Sequence, residues 1–554
     1  MLTVNPYPYQ DEAVDMALDR GNLLIAYGMG LGKTLVQIAI CEELLGTDES
    51  TLNAIVVPSS LKWQWAQALV WATDVQSRDL VLKPRSKNPQ KIRVPLPHHA
   101  VVIDGTPDKR DIQYRYVRDY RPDYVILGYD NVVNDWRHVK RIHPDLIALD
   151  EATAIKSFKA ERSVKIKEWW AEYRYALTGT PIDNRPEELF SIMEWVDPDE
   201  LGRADLFDKA YIVRDSYGRP KRYKHLDVLH EKTKFFVVRK TRFDPEVAPY
   251  MPKDFSKDFR VEITGKTRSL YKEIAADLIE RLSDMTGFGG WDVGAYYAGE
   301  AGSGSAEQGD AMARYGALAM LCDHPLLLLQ SAQIFDEWLD KAKEAADDEE
   351  PVPPSMGSKY AWNLLQEGKL DWINEKTSSP KFEEALAEIK DILDERPENK
   401  VIVFSFTKHM LRLFRAALPA GTSVIFDGDM NSNEKESAKQ QFKTNPKVRV
   451  FLSSDAGGMG VDLPEANYLI NYNHPWSAGK ADQRNSRHIR AGSNWDEVWV
   501  LNYLVAESVE EWKYQILDLK RRVGSAIIDG TPTKGGSITF DVSSLLKYLT
   551  ESGL

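Results

Sequence analysis

Residues 22–34 read NLLIAYGMGLGKT, and this stretch decides the fold of the N-terminal part of the chain. A short apolar run that indicates a strand leads into a loop with several glycines, and residues 35–45 then repeat apolar side chains at helical spacing. Similar apolar runs recur at residues 54–57, 124–127 and 146–149, with helical patterns between them. Strands that alternate with helices are typical of a parallel sheet with helices on its faces.

The loop of this stretch is predicted to bind a nucleoside triphosphate. Gly30 and Gly32 let backbone N–H groups close around phosphates at the positive N-terminus of the following helix. Lys33 is expected to pair with the β- and γ-phosphates, and the hydroxyl of Thr34 to bind Mg²⁺. A strict phosphate-loop pattern has glycine five residues before Gly32, where this chain has Tyr27.

Two adjacent acids follow the apolar run 146–149. Asp150 is expected to hold Mg²⁺, and Glu151 to polarise the attacking water. Paired acids at the end of a strand are also common on protein surfaces, so this interpretation depends on the phosphate loop upstream. The sequence continues as DEATAIKS.

A second candidate half-site lies far downstream, where residues 483–490 read QRNSRHIR. Gln483, Arg487 and Arg490 recur at spacings of four and three, which predicts that they share one face of a helix. Two guanidinium groups could there neutralise charge that develops on a γ-phosphate. The alternative is a solvated helix face. With the phosphate loop, the segment predicts an ATP site built from two distant parts of the chain.

The alternation of strands and helices returns in the second half of the chain. Apolar runs at residues 400–406, 422–426, 448–453 and 468–472 predict a second parallel sheet. At 554 residues the chain exceeds the size at which one hydrophobic core stops growing. The length and the pattern both indicate two α/β domains.

The charge is distributed unevenly along the sequence. A net charge of −13 argues against a nucleic-acid partner, because binding to phosphates depends on Lys and Arg. However, residues 214–242 are strongly basic, whereas residues 335–350 are acidic. A locally positive cleft is sufficient for DNA, although either run could be a solvated helix face.

The composition contains no sign of export, a membrane span or a zinc site. No run of about 18 apolar residues is present, and the first residues, MLTVNPYPYQDE, lack the basic and apolar parts of a leader. The two cysteines, Cys41 and Cys322, are too few for a zinc site and are expected to be core thiols.

In these motifs the chain resembles the Swi/Snf type of superfamily-two ATPases, which are helicase-related translocases on double-stranded DNA. The resemblance extends from about residue 7 to about residue 506. The matching segments are YPYQDEAV, GMGLGKT, VVPSSLKWQWAQ, LGYDNVVND, DEATAIK, LTGTPIDNRPEELFSIMEWVDP, VVRKTRFDPEVAPYMP, LCDHPLLL, SSPKFEEALAEIKDILDERPENKVIVFSFTKHML and FLSSDAGGMGVDLPEANYLINYNHPWSAGKADQRNSRHIRAG.

The resemblance implies further roles for individual residues. Gln10 would read the adenine, and Arg487 and Arg490 would act as arginine fingers. The turn 178–180 would link the ATP state to movement of the lobes, and residues 453–463 would couple DNA to ATP. The segment VVPSSLKWQWAQ would contact the DNA backbone.

A few positions depart from the family pattern. Tyr27 and Gly28 replace an acidic pair, Thr153 replaces a histidine, and Asp462 replaces an asparagine. None of these changes removes the expected metal and water roles of the two acids that precede Thr153.

We therefore expect an α/β protein with two RecA-like parallel-sheet lobes and helical insertions between them. Residues 1–200 would form the ATP-binding lobe, residues 201–378 the insertions and linker, residues 379–506 the second lobe, and residues 507–554 a helical tail. Within the insertions, residues 286–310 are rich in Gly, Ser and Ala, which favours a loop.

The expected function is that of a translocase or remodelling motor on double-stranded DNA, which hydrolyses ATP with Mg²⁺ between the two lobes. Alternatives are a strand-separating DNA or RNA helicase, a remodeller that displaces protein from DNA, or a degenerate motor that serves as a binding module. The intact lysine, acids and arginines argue against degeneracy. A compact chain without a recognition domain favours a bacterial or viral enzyme, active in the bacterial cytoplasm and without a membrane partner, over a nuclear remodeller.

Overall fold

The chain divides into two units, each assembled from segments that are distant in sequence. Unit 1 contains Met1–Pro252, Ala478–Ser493 and Lys520–Ser537, and unit 2 contains Lys253–Ser477, Asn494–Leu519 and Ile538–Leu554. The computed structural model describes residues 1–82, 90–183, 185–214, 220–284, 293, 296, 306–344, 353–455, 461–491, 493–531 and 542–552.

Unit 1 is built around a parallel sheet. Its strands are β1 (Asn22–Ile25), β2 (Asn53–Val57), β3 (Ser77–Leu82), β4 (Gln90–Pro95), β5 (Ala100–Val102), β6 (Tyr124–Gly128), β7 (Leu146–Asp150), β8 (Tyr173–Leu177), β9 (Ile212–Arg214), β10 (Pro220–Tyr223) and β11 (Val237–Val238). The sheet has the order β11-β1-β8-β7-β2-β6-β5, and each neighbouring pair is parallel. The remaining strands form the antiparallel pairs β3–β4 and β9–β10.

Helices cover the strands of this sheet. They are α1 (Pro8–Arg20), α2 (Lys33–Gly46), α3 (Lys62–Ala72), α4 (Pro107–Tyr120), α5 (Tyr129–Asn134), α6 (Trp136–Val139), α7 (Glu161–Glu168), α8 (Pro186–Val196), α9 (Ala204–Tyr211) and α10 (Leu226–Thr233), with 3-10 turns at Ala152–Ile155 and Ala248–Tyr250. Strands β2, β6 and β7 are buried along their whole length, because both faces of a parallel sheet are covered.

Unit 2 contains a second parallel sheet. Its strands are β12 (Lys253–Val261), β13 (Val401–Phe404), β14 (Ser423–Phe426), β15 (Val450–Ser453), β16 (Tyr468–Asn471) and β17 (Glu497–Val505). They pair in parallel in the order β12-β17-β16-β13-β15-β14. Along β13, Val401 and Val403 pack in one hydrophobic cluster and Ile402 and Phe404 in another, so alternate side chains supply a core on each face.

The second half of the chain is also rich in helices. They are α11 (Gly265–Asp284), α12 (Ala306–Asp323), α13 (Pro325–Glu344), α14 (Met356–Gln366), α15 (Pro380–Glu395), α16 (Lys408–Ala417), α17 (Ser432–Thr444), α18 (Ala478–Asn485), α19 (Val509–Ile528) and α20 (Val542–Glu551). Helix α18 belongs to unit 1, and α19 is divided between the units after Leu519.

The predicted α/β class with two parallel sheets is confirmed. The apolar runs at 54–57 and 422–426, for example, correspond to β2 and β14. Most of the glycine-rich segment 286–310 lies outside the described residues, but its last residues, 306–310, begin α12.

Candidate active site

Two glycines in the left-handed region shape the loop after β1. Gly30 has a φ of 82° and Gly32 a φ of 78°, which glycine adopts without steric cost because it lacks a Cβ. Helix α2 begins directly after this loop with Lys33 and the half-buried Thr34. Backbone N–H groups at such a helix N-terminus favour bound phosphate. The predicted loop and helix therefore meet where a phosphate site requires them.

The amine of Lys33 is held by backbone carbonyls of the same loop. Lys33 Nζ donates to Tyr27 O at 3.0 Å and to Gly28 O at 3.3 Å. Tyr27 is fully buried, and its hydroxyl donates to the carbonyl of Tyr9. At this departure from the usual phosphate-loop pattern, the side chain packs in the core while the carbonyl anchors the lysine.

Gln10 lies beneath the phosphate loop and is buried. Its Nε2 donates to Leu31 O at 2.9 Å, and its Oε1 accepts from Tyr7 N at 2.8 Å. A Cβ placed on Gly32 would clash with Gln10 Nε2, so the glutamine packs directly against the loop. A carboxamide can make further hydrogen bonds, and these two bonds still leave one N–H and one lone pair for a ligand.

The two acids at the end of β7 have different surroundings. Asp150 Oδ1 accepts from Glu151 N at 2.9 Å, and Asp150 Oδ2 accepts from Trp65 Nε1 at 2.8 Å. Glu151 Oε2, in contrast, is buried without a hydrogen-bond partner. Glu151 also has a φ of 51°, a left-handed conformation that is uncommon for a residue with a side chain. Both the strained backbone and the unsatisfied carboxylate oxygen are features that concentrate at functional sites.

Burial and proximity of the two carboxylates change their protonation. Burial and the neighbouring charge of Asp150 raise the pKa of Glu151 to about 7, although Lys33, Arg487 and Arg490 act in the opposite direction. Burial also raises the pKa of Asp150. The same burial lowers the pKa of the Lys33 amine, against the effect of both acids.

The predicted arginines reach this site by a different local structure. The prediction that Gln483, Arg487 and Arg490 share one helical face is wrong, because α18 ends at Asn485. Arg487 N then donates to Arg484 O at 3.0 Å, which closes a turn. Asparagine favours such an end because its side chain competes for backbone hydrogen bonds.

Residues 478–493 nevertheless belong to the unit that contains the phosphate loop. Ala491 N donates to Gly30 O at 3.4 Å. A Cβ on Gly30 would lie 2.6 Å from Ile489 O and 3.1 Å from Arg490 Nη1, so a larger residue would not fit. The structure thus brings Arg490 against the predicted phosphate loop, as an ATP site made from two distant segments requires.

The turn 178–180 completes this region. A Cβ on Gly179 would meet Met29 Cε at 2.8 Å, so the turn lies against the phosphate loop. Asp183 Oδ1 accepts from Gly479 N, in the first turn of α18, at 2.9 Å. The turn therefore contacts the phosphate loop, and the residues just after it contact the segment that bears the arginines.

Sequence reasoning missed several of the groups that organise the site. Trp65 and Asp183 are two of them, and a third is Arg239, whose Nη1 donates to Ala26 O at 2.7 Å. Their partners are 85 to 296 residues away in the chain, so local patterns contain no signal for the pairing. The segment VVRKTR did mark the neighbourhood of Arg239 as part of a family motif.

A cavity of about 640 Å³ adjoins the loop. Gly28, Met29, Gly179, Thr180 and Arg239 contribute to its lining. Its volume is in the range of sites for small molecules.

The basic run 214–242 is partly neutralised within unit 1. Arg214 Nε donates to Asp208 Oδ1 at 2.9 Å, and Lys240 Nζ lies 2.7 Å from Glu12 Oε2. Part of this run lies outside the described residues, as do residues 456–460 of the segment 453–463. The charge counted in the sequence therefore overstates what is available to a partner.

In the described part of the chain, no helix combines the length and the apolar character needed to cross a bilayer. Within the same residues, no group of three or more His, Cys, Asp and Glu side chains is arranged to hold a metal ion.

Two segments of the chain match known protein families. Residues 9–302 match the SNF2-related domain, and residues 384–492 match the helicase conserved C-terminal domain. YwqA of Bacillus subtilis is 23% identical over 91% of this chain and 46% of its own length. The DNA repair and recombination protein RAD54B of Gallus gallus is 24% identical over 96% of this chain and 54% of its own length. The chain therefore spans about half the length of these relatives.

A solved structure shares the fold. The helicase domain of Hef from Pyrococcus furiosus superposes with a TM-score of 0.55 at 18% identity, and the match covers 92% of this chain and 98% of that domain.

Proposed function

The chain belongs to the family defined by the SNF2-related domain, and on this premise we propose that it is an ATP-dependent motor that translocates along double-stranded DNA. One observation carries the proposal: a glycine-containing loop, the buried Asp150 with the half-buried Glu151, and two arginines from a distant segment meet within unit 1. Such a set of groups suits transfer of a phosphoryl group from ATP to water.

Glu151 is proposed as the base that orients and deprotonates the attacking water. Its buried Oε2 has no hydrogen-bond partner, so a water molecule can bind there without displacing a protein group. A pKa of about 7 suits a group that accepts a proton near neutral pH. Lys33 would exchange its bonds with the loop carbonyls for bonds with the β- and γ-phosphates.

Thr34 and Asp150 are proposed to hold Mg²⁺ with the phosphates. A hydroxyl and a carboxylate are oxygen ligands of the kind that Mg²⁺ prefers, and few protein ligands are typical because phosphates and water complete the shell. When bound, the ion would neutralise negative charge on the phosphates. Gln10 retains the hydrogen-bonding capacity to contact the adenine.

Arg487 and Arg490 are proposed to stabilise charge on the transferred phosphoryl group. Arg490 lies against the phosphate loop, and both arginines affect the pKa of Glu151. In the chain, their segment connects β16 and β17, which are neighbours in the unit 2 sheet. We propose that this segment links a change in their phosphate contacts to unit 2.

The start of α3 is proposed as one contact with the DNA backbone. Ser59 and Ser60 are exposed there, whereas Lys62 is buried and donates to Ile103 O at 2.8 Å and Asp104 Oδ1 at 2.7 Å. Hydroxyls and helix N–H groups contact phosphates without reading bases. We therefore expect binding that does not depend on DNA sequence.

The rate of ATP hydrolysis should be compared with duplex, single-stranded and forked DNA and with RNA, for the parent protein, Lys33→Ala and Arg490→Ala. We expect stimulation by duplex DNA and loss of hydrolysis in both variants. Stimulation by RNA alone, or an equal rate without nucleic acid, would overturn the proposal.

Movement requires a separate assay. Displacement of a third strand from a triplex, without separation of the duplex strands, is the expected result for a translocase. Separation of the duplex would instead identify a helicase. Affinity for DNA should fall steeply between low and physiological salt because the contacts are with phosphates.

A further inference from the structure

The carboxylate of Asp150 is oriented by an aromatic side chain from another element. Trp65, on α3, donates its indole N–H to Asp150 Oδ2 at 2.8 Å. Both residues are buried, with Trp65 3% and Asp150 9% exposed. A hydrogen bond in such a dry environment restricts the carboxylate strongly, because no water competes for the oxygen.

The backbone of Asp150 is held by a second aromatic residue. The hydroxyl of Tyr129, at the start of α5, donates to Asp150 O at 2.8 Å, and the tyrosine is also buried. The next residue, Glu151, has the left-handed backbone, and its N–H donates to Asp150 Oδ1. Both carboxylate oxygens and the carbonyl of Asp150 are thus fixed.

Another tryptophan of the same helix makes a different contact. Trp63 donates its N–H to Asp104 Oδ2 at 3.3 Å, away from the acid pair. Hydrogen bonds to a ligand carboxylate from groups behind it fix its orientation and commonly change metal affinity by about 10- to 100-fold.

We propose that Trp65 and Tyr129 are positioning residues, which hold Asp150 in the orientation needed to bind Mg²⁺ with the nucleotide. This inference rests on the proposed ATP-binding function. Neither side chain needs to touch the nucleotide. Their effect should therefore appear in the contribution of Mg²⁺ to nucleotide binding rather than in nucleotide binding itself.

The test measures the affinity of the full chain for a fluorescent, non-hydrolysable ATP analogue, with Mg²⁺ and with a chelator. The variants are Trp65→Phe, which keeps an aromatic ring, and Tyr129→Phe, which removes only the hydroxyl. The matched control is Trp63→Phe. We expect the gain in affinity from Mg²⁺ to fall by about tenfold in Trp65→Phe and by a smaller factor in Tyr129→Phe. Affinity in chelator should stay within about twofold of the parent.

Several outcomes would overturn the inference. One is an equal loss of affinity with and without Mg²⁺ in Trp65→Phe, because that indicates a general loss of structure. Another is the same loss in Trp63→Phe. If Trp65→Phe does not fold, judged by thermal unfolding, an unchanged Mg²⁺ gain in Tyr129→Phe overturns the proposal on its own.

Failure of the proposed motor function can be distinguished from failure of the positioning role. Stimulation of hydrolysis by duplex DNA in the parent protein tests the motor and does not depend on these variants. A parent protein that binds the Mg²⁺ nucleotide but ignores DNA would refute the motor and leave the positioning role intact.

Discussion

Each unit has a buried aspartate and a half-buried glutamate beside a lysine, and the two arrangements differ in what the lysine contacts. In unit 1, Lys33 donates to backbone carbonyls rather than to Asp150 or Glu151. In unit 2, Lys381 is completely buried and bridges Asp323 and Glu510, with Nζ 3.0 Å from Asp323 Oδ1 and 2.6 Å from Glu510 Oε1.

Neighbouring groups add hydrogen bonds to the unit 2 cluster. Asn473 Nδ2 also donates to Asp323 Oδ1, Glu510 Oε2 accepts from Val505 N, and the hydroxyls of Ser379 and Tyr472 donate to Asp323 O. The acid pair of unit 1 keeps the buried, unpartnered Oε2 of Glu151. Removing the cation from a buried ion cluster is strongly destabilising, whereas a buried oxygen without a partner is available to a ligand.

The largest effect should come from replacing Glu151, the acid with the unpartnered carboxylate oxygen. Glu151→Gln keeps the shape of the side chain but cannot accept a proton, so we expect the hydrolysis rate to fall about 1000-fold. Nucleotide affinity should change little. The exposed Glu172, changed to Gln, is the control. A variant that retains a tenth of the parent rate would show that Glu151 is not the base.

The next effect tests the ion cluster of Lys381, Asp323 and Glu510 in unit 2. Lys381→Met leaves two buried carboxylates without their cation, which should lower the free energy of unfolding by about 3 kcal/mol. Urea unfolding followed by a probe in unit 2 measures this change. Lys343→Met removes an exposed pair with Asp340 and should have no measurable effect. If both variants unfold alike, the buried cluster does not stabilise the unit.

A smaller effect should appear as pH dependence in unit 1. The folded protein keeps the proton of Glu151 up to about pH 7, whereas the unfolded chain releases it near 4.5. The folded state thus binds more protons in this window, and the free energy of unfolding should fall as pH rises from 4.5 to 7, by on the order of 2 kcal/mol. Unfolding at several pH values without nucleotide tests this. Glu151→Gln should make the profile less steep, with the remaining dependence due in part to Asp150, whose pKa burial also raises. An unchanged profile in that variant would assign the dependence to other groups.

The smallest effect concerns the helix that carries Lys381. Ser379 caps α15 by accepting from Phe382 N at 3.1 Å, and its hydroxyl also donates to Asp323 O, which keeps its bond from Tyr472. Ser379→Ala should therefore cost about 1 kcal/mol of unfolding free energy. Ser379→Asn, which can still cap the helix, is the matched variant. ATP hydrolysis below the unfolding temperature should be unaffected in both. A reduced hydrolysis rate would indicate that the ion cluster of unit 2 affects hydrolysis in addition to stabilising the fold.

The strands and the glycine-containing loop before α2 were predictable because their signals are local. Apolar runs such as 54–57 and the glycines beside Lys33 each lie within a short stretch of sequence. The end of α18 at Asn485 was not predicted, because spacings of three and four residues occur in a helix and also continue into the turn that follows it. The hydrogen bond of the Trp65 indole could not be predicted from local sequence patterns, because its partner is 85 residues away.

Charge was the least reliable guide. Lys381 lies in a segment that the sequence analysis assigned only to the beginning of the second lobe. No local pattern predicts its contact with Glu510, which is 129 residues away. Arg214 and Lys240 contribute to a basic run in the sequence but pair with acids in the fold. Ion pairs across long sequence separations depend on topology, which a count of charges does not contain.

The left-handed backbone at Glu151 opposes thermal stability to the proposed catalytic role of this residue. A side chain at a φ of 51° costs on the order of 1 kcal/mol that glycine would avoid. Laboratory evolution for heat resistance alone would therefore favour Glu151→Gly, although that substitution removes the proposed base for ATP hydrolysis. At position 151, a screen for thermostability should select glycine, whereas a screen for turnover should retain glutamate.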